Sequence, residues 1–140
     1  IPFLQGNVLS FIPLKNECDI SSLNNFLWKE GRLLLPKIVK DQLEVCKVIE
    51  LEPFKRSAWG TLTCHKGIPK TAVDVHTVIV PCLGVDLSFN RLGRGKGCYD
   101  RFLKSLDARI VRVCIVYKEQ LSLVLPTDPW DEKVDKIFVF

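Results

Sequence analysis

Short apolar runs recur along the chain, each bounded by glycine, proline or polar residues, and their lengths are typical of β-strands. Several runs show no polar alternation: Leu33, Leu34 and Leu35 are consecutive, and residues 75–80 are mostly β-branched. Uninterrupted runs of this kind indicate strands that are buried on both faces. The predicted strands cover residues 8–12, 32–39, 43–49, 75–80, 110–117 and 136–140.

Two segments between these runs have the period of an amphipathic helix. The first follows the candidate N-cap residues Ser21 and Ser22, carries Leu23, Phe26 and Leu27 on one face, and ends at Gly31. The second has apolar residues at positions i, i+3, i+4 and i+7, namely Tyr99, Phe102, Leu103 and Leu106. Residues 52–70 contain two prolines and two glycines and are predicted to be irregular, and residues 125–131 form a polar loop.

This order of elements predicts one domain over residues 1–140. Strands that alternate with helices favour a three-layer α/β/α arrangement with a mostly parallel, Rossmann-like sheet. Ligands of such sheets bind outside the carboxyl ends of the strands. Candidate site residues are therefore sought in the segments that follow strands.

Composition and charge exclude several classes of protein. Hydrophobic residues make up 47% of the chain and charged residues 26%, as in ordinary globular domains. The net charge of +4 is too small and dispersed to favour a nucleic-acid partner. No apolar run approaches the ~18 residues of a membrane span, and the start lacks a secretory signal, so we expect a cytoplasmic protein without a membrane partner. The chain has no Met and starts at Ile1, and we expect its natural N-terminus to be missing.

Cysteine and histidine offer little chemistry in this pattern. The six cysteines lie 16 to 28 residues apart without a Cys-x-x-Cys pair, so we expect reduced thiols packed in the core. His65 and His76 are isolated and are assigned no role.

The glycine-rich segment at residues 90–100 is the strongest functional signal. Three alternate glycines, Gly93, Gly95 and Gly97, are interleaved with basic residues directly before the second helix. Such a loop can aim backbone N–H groups at a phosphate, and the helix N-terminus adds positive potential. The spacing matches neither the P-loop nor the dinucleotide-binding fingerprint, and a flexible surface turn remains the alternative.

The same segment resembles a known family. Residues 90–103 are similar to the signature of the 5-formyltetrahydrofolate cyclo-ligases, also called 5,10-methenyltetrahydrofolate synthetases. Residues 78–86 resemble the strand and turn that precede that signature, and residues 11–20, 34–37 and 125–131 resemble further segments of the family. The resemblance covers most of the chain.

The resemblance implies an ATP- and Mg²⁺-dependent ring closure of 5-formyltetrahydrofolate, with Arg94 and Lys96 as catalytic residues. It implies Asp100 and Asp131 as the Mg²⁺ ligands, and Glu17 and Tyr99 as the folate-binding residues. The expected partners are 5-formyltetrahydrofolate and ATP, and we expect a monomer. The residues implied to bind ATP are Arg91, Leu92, Gly93, Arg94, Gly95, Lys96, Gly97, Cys98 and Tyr99.

Each assignment has a structural alternative. Asp100 and Glu17 can each serve as an acidic residue near a helix start, and Asp131 can form a turn. Trp59 is expected to pack rather than to bind folate.

The chain also departs from the family pattern. Cys98 stands where a Tyr is usual, Val85 replaces a Phe, and Trp130 replaces a His or Asn. The family's basic N-terminal helix precedes the point where this chain starts. A folate- or nucleotide-binding protein without turnover is therefore an alternative function, and a single-stranded nucleic-acid binder is the weakest one.

Overall fold

In a computed structural model, which describes residues 4–57, 60–94 and 97–140, the chain forms two sheets and a few helices. The strands and helices are β1 (Val8–Leu9), α1 (Ser21–Lys29), β2 (Leu33–Val39), β3 (Gln42–Arg56), β4 (Leu62–Lys70), β5 (Thr77–Ile79), β6 (Gly84–Asp86), β7 (Arg91–Leu92), α2 (Cys98–Ser105), β8 (Val111–Val116), β9 (Leu121–Ser122) and β10 (Lys136–Val139). Two short 3₁₀ turns cover Ala72–Asp74 and Lys118–Gln120. Neither α1 nor α2 is long and apolar enough to cross a membrane, and the same holds for any other helix in the described residues.

The larger sheet has the order β10-β8-β5-β1-β2-β3-β4. The strands from β10 to β2 pair in parallel, whereas β2, β3 and β4 form an antiparallel meander. The protein therefore has a mixed α/β fold, with a parallel part as predicted and an antiparallel edge that was not. The second sheet is small, with β6 between β7 and β9.

Successive residues of the central strands enter two different core clusters. Leu9, Leu34 and Val78 belong to the first cluster, and their neighbours Val8 and Leu33 belong to the second. Helix α2 contributes Leu103 to the first cluster, and helix α1 contributes Leu27 to the second. The uninterrupted apolar runs are explained because both faces of these strands are buried.

The ends of α1 follow from local chemistry. Gly31 has a φ of +70°, its N–H donates to the Trp28 carbonyl, and the Arg32 N–H donates to the Leu27 carbonyl. This pair of bonds is the Schellman motif, so the predicted helix end is confirmed. At the start, no side chain of an N-cap residue bonds the helix; instead the carboxylate of Asp19 accepts the N–H of Ser21.

The prediction that residues 52–70 are irregular is wrong. Strands β3 and β4 run through most of this segment and pair with each other. Their register shifts between Val48 and Glu50 and again before Phe54, and Pro53 lies inside the second irregularity. Pro69 is accommodated because β4 is the edge strand. Bulges and edges are the positions where a sheet tolerates proline, and the sequence pattern alone did not reveal them.

A buried polar contact joins α1 to the chain that follows β1. The Ser10 hydroxyl donates to Asn24 Oδ1, and Asn24 Nδ2 donates to the Phe11 carbonyl over 2.8 Å. Both Ser10 and Asn24 are almost fully buried. Since buried polar atoms lose their bonds to water, this pair fixes where the chain leaves β1.

We predict that Asn24→Ala lowers the free energy of unfolding by about 1–3 kcal/mol, because Ser10 and the Phe11 carbonyl would be left buried without partners. Urea denaturation monitored by circular dichroism measures the change. Asn25→Ala, at the exposed neighbouring position of the same helix, is the matched control and should leave the midpoint nearly unchanged. Equal effects of the two substitutions would contradict this role of Asn24.

Candidate active site

A cavity of about 770 Å³ opens where β1 and β5 end. Phe11 and Ile12 follow β1 and line it, as do Pro81 and Cys82, which follow β5. The chain continues from β1 to β2 on one side and from β5 to β8 on the other. The cavity therefore lies at the switch point of the parallel strands, the usual position of ligands in such sheets.

Residues predicted to form the site converge on this cavity. Gly95 and Lys96 lie outside the described residues. All other predicted site residues line the cavity: Glu17, Arg91, Leu92, Gly93, Arg94, Gly97, Cys98, Tyr99, Asp100 and Asp131. Their individual roles stay predictions, but their common location does not depend on the resemblance.

Arg91 joins the cavity wall to helix α2. Its side chain is only 6% exposed, and its guanidinium donates to the Pro81 carbonyl over 2.9 Å and lies 3.4 Å from Asp100 Oδ1. It also lies over the ring of Tyr99, 5.8 Å from the ring centre, in a cation–π arrangement. Arg91 is thus engaged by protein groups, and its contribution to ATP binding would come from its charge and the order it imposes.

Two positions in the loop are occupied by glycine for different steric reasons. A Cβ at Gly93 would lie 2.5 Å from a guanidinium nitrogen of Arg91, so this position must lack a side chain for Arg91 to reach Pro81. Gly97 is the N-cap residue of α2 and has a φ of +73°, a conformation that other residues adopt at a cost. These two glycines shape the loop, as predicted for a segment that must turn tightly before a helix.

Arg94 connects the glycine loop to the segment that carries Glu17. Its Nε lies 3.4 Å from Glu17 Oε2, and its terminal nitrogen donates to the Lys15 carbonyl over 2.9 Å. The Glu17 side chain is 5% exposed, and its other oxygen accepts the Leu14 N–H. Arg94 is 41% exposed, so its charge stays available to a ligand in the cavity.

Asp100 and Asp131 face the same cavity from α2 and from the loop before β10. Asp100 Oδ1 accepts the Glu132 N–H, and Asp131 Oδ2 accepts the Asp128 N–H in a turn. No group of three or more acidic, His or Cys side chains in the described residues could hold a metal by itself. Two carboxylates fit Mg²⁺, which retains waters and takes further oxygens from substrate phosphates.

The hydroxyl of Tyr99 is buried beside these groups. Its oxygen has no hydrogen-bond partner among the described residues, although the residue lines the cavity. Burial raises the pKa of Tyr99 well above its usual value. The group is therefore a neutral hydroxyl at physiological pH, able to donate to a ligand oxygen.

Asp86, which sequence reasoning did not place in the site, organises the loops around it. Its buried carboxylate accepts the N–H groups of Ser88, Asn90 and Leu125, and also the Asn90 side-chain amide. Burial acts to raise the pKa of Asp86, but the hydrogen bonds from Leu125, Asn90 and Ser88 outweigh it, and the pKa falls below 3.8. Asp86 ties the turn before Arg91 to the loop that carries Asp131.

Several other cavity residues were not assigned a role from the sequence, although Arg101 belongs to the cluster of basic residues around the glycine loop and Trp130 is next to Asp131. Arg101 and Lys104 line the cavity from α2, and Lys104 stands one helical turn after Asp100, a spacing that could have indicated it. Trp130 lines the cavity with its side chain largely exposed, and Thr61 reaches it from the turn before β4. No sequence period identifies Thr61, because its position depends on the hairpin that was predicted to be irregular.

The chain is similar to known proteins in both sequence and fold. The model of the 5-formyltetrahydrofolate cyclo-ligase family matches residues 5–140. The chain is 25% identical over 141 residues to the mouse 5-formyltetrahydrofolate cyclo-ligase, covering 91% of this chain and 70% of that protein. Its fold is similar to the solution structure of Aquifex aeolicus 5,10-methenyltetrahydrofolate synthetase, with a TM-score of 0.80, 32% identity, and coverage of 96% of this chain and 68% of that one.

A second solved structure, a 5,10-methenyltetrahydrofolate synthetase from Mycoplasma pneumoniae, matches with a TM-score of 0.69 and 26% identity. The match covers 98% of this chain and 74% of that one.

We predict that Asp86→Asn destabilises the protein at neutral pH, because an amide nitrogen would face N–H donors that now bond a carboxylate. The pKa of Asp86 is lowered on folding, so its contribution to stability is full above about pH 4 and is lost as the pH falls through the folded-state pKa. Thermal unfolding measured from pH 7 down to pH 3 should therefore show a lower melting temperature for the variant at neutral pH, and this difference from wild type should shrink as the pH falls. A difference in melting temperature that stays constant, or one shown equally by the exposed control Asp41→Asn, would contradict this role of Asp86.

Proposed function

The chain belongs to the 5-formyltetrahydrofolate cyclo-ligase family, and from this premise we propose that it converts 5-formyltetrahydrofolate and ATP into 5,10-methenyltetrahydrofolate, ADP and phosphate. The family is one of ligase enzymes, and the two solved structures compared above are of 5,10-methenyltetrahydrofolate synthetases. The observation that carries the proposal is the convergence of every described residue of the predicted site on one cavity at the switch point of the sheet.

In the proposed reaction, the formyl oxygen attacks the γ-phosphorus of ATP and ADP leaves. The folate N10 then adds to the activated formyl carbon, and phosphate departs with the former formyl oxygen. Transfer of a phosphoryl group depends mainly on positioning and on positive charge around the phosphate oxygens. The cavity offers that charge through Arg94, Arg101 and Lys104, and we propose that Lys96 adds to it.

Arg94 has the arrangement that a catalytic cation requires. Glu17 and the Lys15 carbonyl hold its side chain above the cavity, which limits the motion it must lose when a ligand binds. Its exposed portion can donate to a γ-phosphate oxygen. In this proposal Glu17 both orients Arg94 and accepts hydrogen bonds from the folate.

The folate-binding side of the cavity combines apolar and polar groups. Phe11, Ile12 and the indole of Trp130 offer surface to a flat ring, and the buried Tyr99 hydroxyl offers a donor. Small-molecule sites commonly have this composition, with few polar groups that fix orientation. We propose that the pterin ring lies against these residues.

We propose that Asp100 and Asp131 hold Mg²⁺ together with the ATP phosphates. When bound, the ion neutralises phosphate charge and so supports phosphoryl transfer. The Asp100 carboxylate is already held by Arg91 and the Glu132 N–H, which fixes its direction toward the cavity.

The expected layer arrangement, oligomeric state and cellular location are part of the same proposal. A three-layer, Rossmann-like arrangement is supported by the packing of α1 and α2 on different core clusters. A monomeric state is an expectation from the sequence. A cytoplasmic location is the expectation from the sequence.

A second function, ligand binding without turnover, is favoured by one observation. Both described arginines of the glycine loop are already paired with carboxylates, Arg91 with Asp100 and Arg94 with Glu17. Calorimetry that shows binding of 5-formyltetrahydrofolate and ATP, with no phosphate release in the presence of Mg²⁺, would support this function over the enzyme.

We predict that Arg94→Ala lowers kcat by about tenfold or more, because a cation that faces the transferred phosphoryl group is removed. Appearance of the methenyl product by absorbance, with saturating Mg²⁺ and ATP, measures the rate. Lys96→Ala should act in the same direction. Arg109→Ala removes an exposed arginine that pairs with Asp107 and lies outside the cavity, and it should have no effect. Wild-type rates in the Arg94 variant would refute the assignment.

We predict that Asp100→Asn and Asp131→Asn each raise the Mg²⁺ concentration needed for half-maximal rate, by about 10-fold or more. The rate is followed as a function of Mg²⁺ at fixed ATP. Asp107→Asn, on the exposed turn after α2, is the control. An unchanged Mg²⁺ requirement in both cavity variants would show that these carboxylates are not metal ligands.

A further inference from the structure

A second cavity of about 520 Å³ lies between the β3–β4 hairpin and α2. The proposed reaction uses none of its residues. Two cysteines line it, Cys46 from β3 and Cys64 from β4, and cationic side chains surround them. The basic residues of the wall are Lys37, Lys55, His65 and Lys70.

The two sulfur atoms converge on one glycine. A Cβ at Gly67 would lie 2.9 Å from the Sγ of Cys64 and 3.2 Å from the Sγ of Cys46. The register opposes Cys46 to Pro69 and Cys64 to Phe54, so the cysteines are not direct partners in the ladder. The register irregularities between these pairs and the missing side chain at Gly67 together allow both sulfurs to approach the same glycine.

The pair is chemically asymmetric. Interaction with the neighbouring Cys64 thiol, aided by Lys37 and Lys55 and opposed by burial and Glu44, lowers the pKa of Cys46. The same interaction, followed by burial, raises the pKa of Cys64. Cys46 is half-buried and reaches the cavity, whereas Cys64 is buried beneath it. Cys46 is therefore the more exposed thiol of the pair and the one that ionises more readily.

We propose that Cys46 and Cys64 form a dithiol exchange site that reacts with small anionic disulfides. The Cys46 thiolate attacks one sulfur of the incoming disulfide, breaks its S–S bond and expels one thiolate, which leaves a mixed disulfide on Cys46. Cys64 passes its proton to the expelled thiolate, attacks the Cys46 sulfur and expels the second thiolate, which takes a proton from water. Two protein thiols are oxidised to one disulfide, and the external disulfide is reduced to two thiols.

The choice of an anionic reactant follows from the charge of the wall. Lys37, Lys55 and Lys70 outnumber the one acidic residue that lines the cavity, Glu44. A cluster of like charge raises the local concentration of oppositely charged molecules and their rate of association. Glutathione disulfide, which carries carboxylates, is a suitable probe, and cystamine, a cationic disulfide, is its counterpart.

The first experiment exposes the reduced, full chain to glutathione disulfide and maps its cysteines by alkylation and peptide mass spectrometry. We expect a Cys46–Cys64 disulfide as the first product, while Cys18 and Cys114, both buried, remain alkylatable only after unfolding. Cys64→Ser should stop the reaction at a glutathione adduct on Cys46, and Cys46→Ser should prevent both products. Modification that starts at another cysteine, or Cys64→Ser that leaves no adduct on Cys46, would overturn the proposal.

The second experiment tests whether the cationic wall, and not merely the exposure of a thiol, determines the rate of reaction. Wild-type protein should react with glutathione disulfide about tenfold faster than a Lys37→Gln/Lys55→Gln variant. The rates with cystamine should not fall in that variant. Lys66→Gln, on the same hairpin but outside the cavity, is the control and should react as wild type does. Equal loss of rate toward both disulfides, or none toward either, would contradict an anion-selective site.

Discussion

The geometry of the active site depends on the contacts that the buried guanidinium of Arg91 makes. It connects the end of β5 through Pro81, the first turn of α2 through Asp100, and the ring of Tyr99. A charge buried to this extent is stable only when its partners are in place, so these groups are positioned together or not at all. Gly93 is part of the same arrangement, since any side chain there would occupy the space of the guanidinium.

Two of the negative charges around the cavity are buried, and three of the positive charges are exposed. Glu17 and Asp86 are buried carboxylates whose hydrogen bonds hold backbone segments, while Arg94, Arg101 and Lys104 carry positive charge at the rim. The protein thereby fixes its binding groups before the ligand arrives, which is the condition for electrostatic catalysis.

The sequence predicted those features that local patterns encode. Consecutive apolar residues identified strands buried on both faces, Gly31 marked the end of α1, and the spacing from Tyr99 to Leu106 identified α2. The first half of β3 was predicted as a strand, but its second half and β4 were missed because their prolines stand at a register irregularity and on the edge strand. The two-residue strands β7 and β9 are too short for any period to show.

The residues from Arg91 to Asp100 could be assigned to one site because they are close together in the sequence. The contact of Arg94 with Glu17 spans 77 positions; the family resemblance assigned both residues to the site but did not indicate this contact. Asp86 was overlooked because its function is to bond backbone N–H groups, which leaves no signature in the side-chain pattern.

The most direct measurement is a crystal structure of the protein with Mg²⁺ and a non-hydrolysable ATP analogue. The account predicts that the phosphates lie on the glycine loop within hydrogen-bonding distance of Arg94, with the metal between them and Asp100. An analogue bound outside the cavity at the ends of β1 and β5, or one that leaves the loop and Arg94 without phosphate contacts, would contradict it.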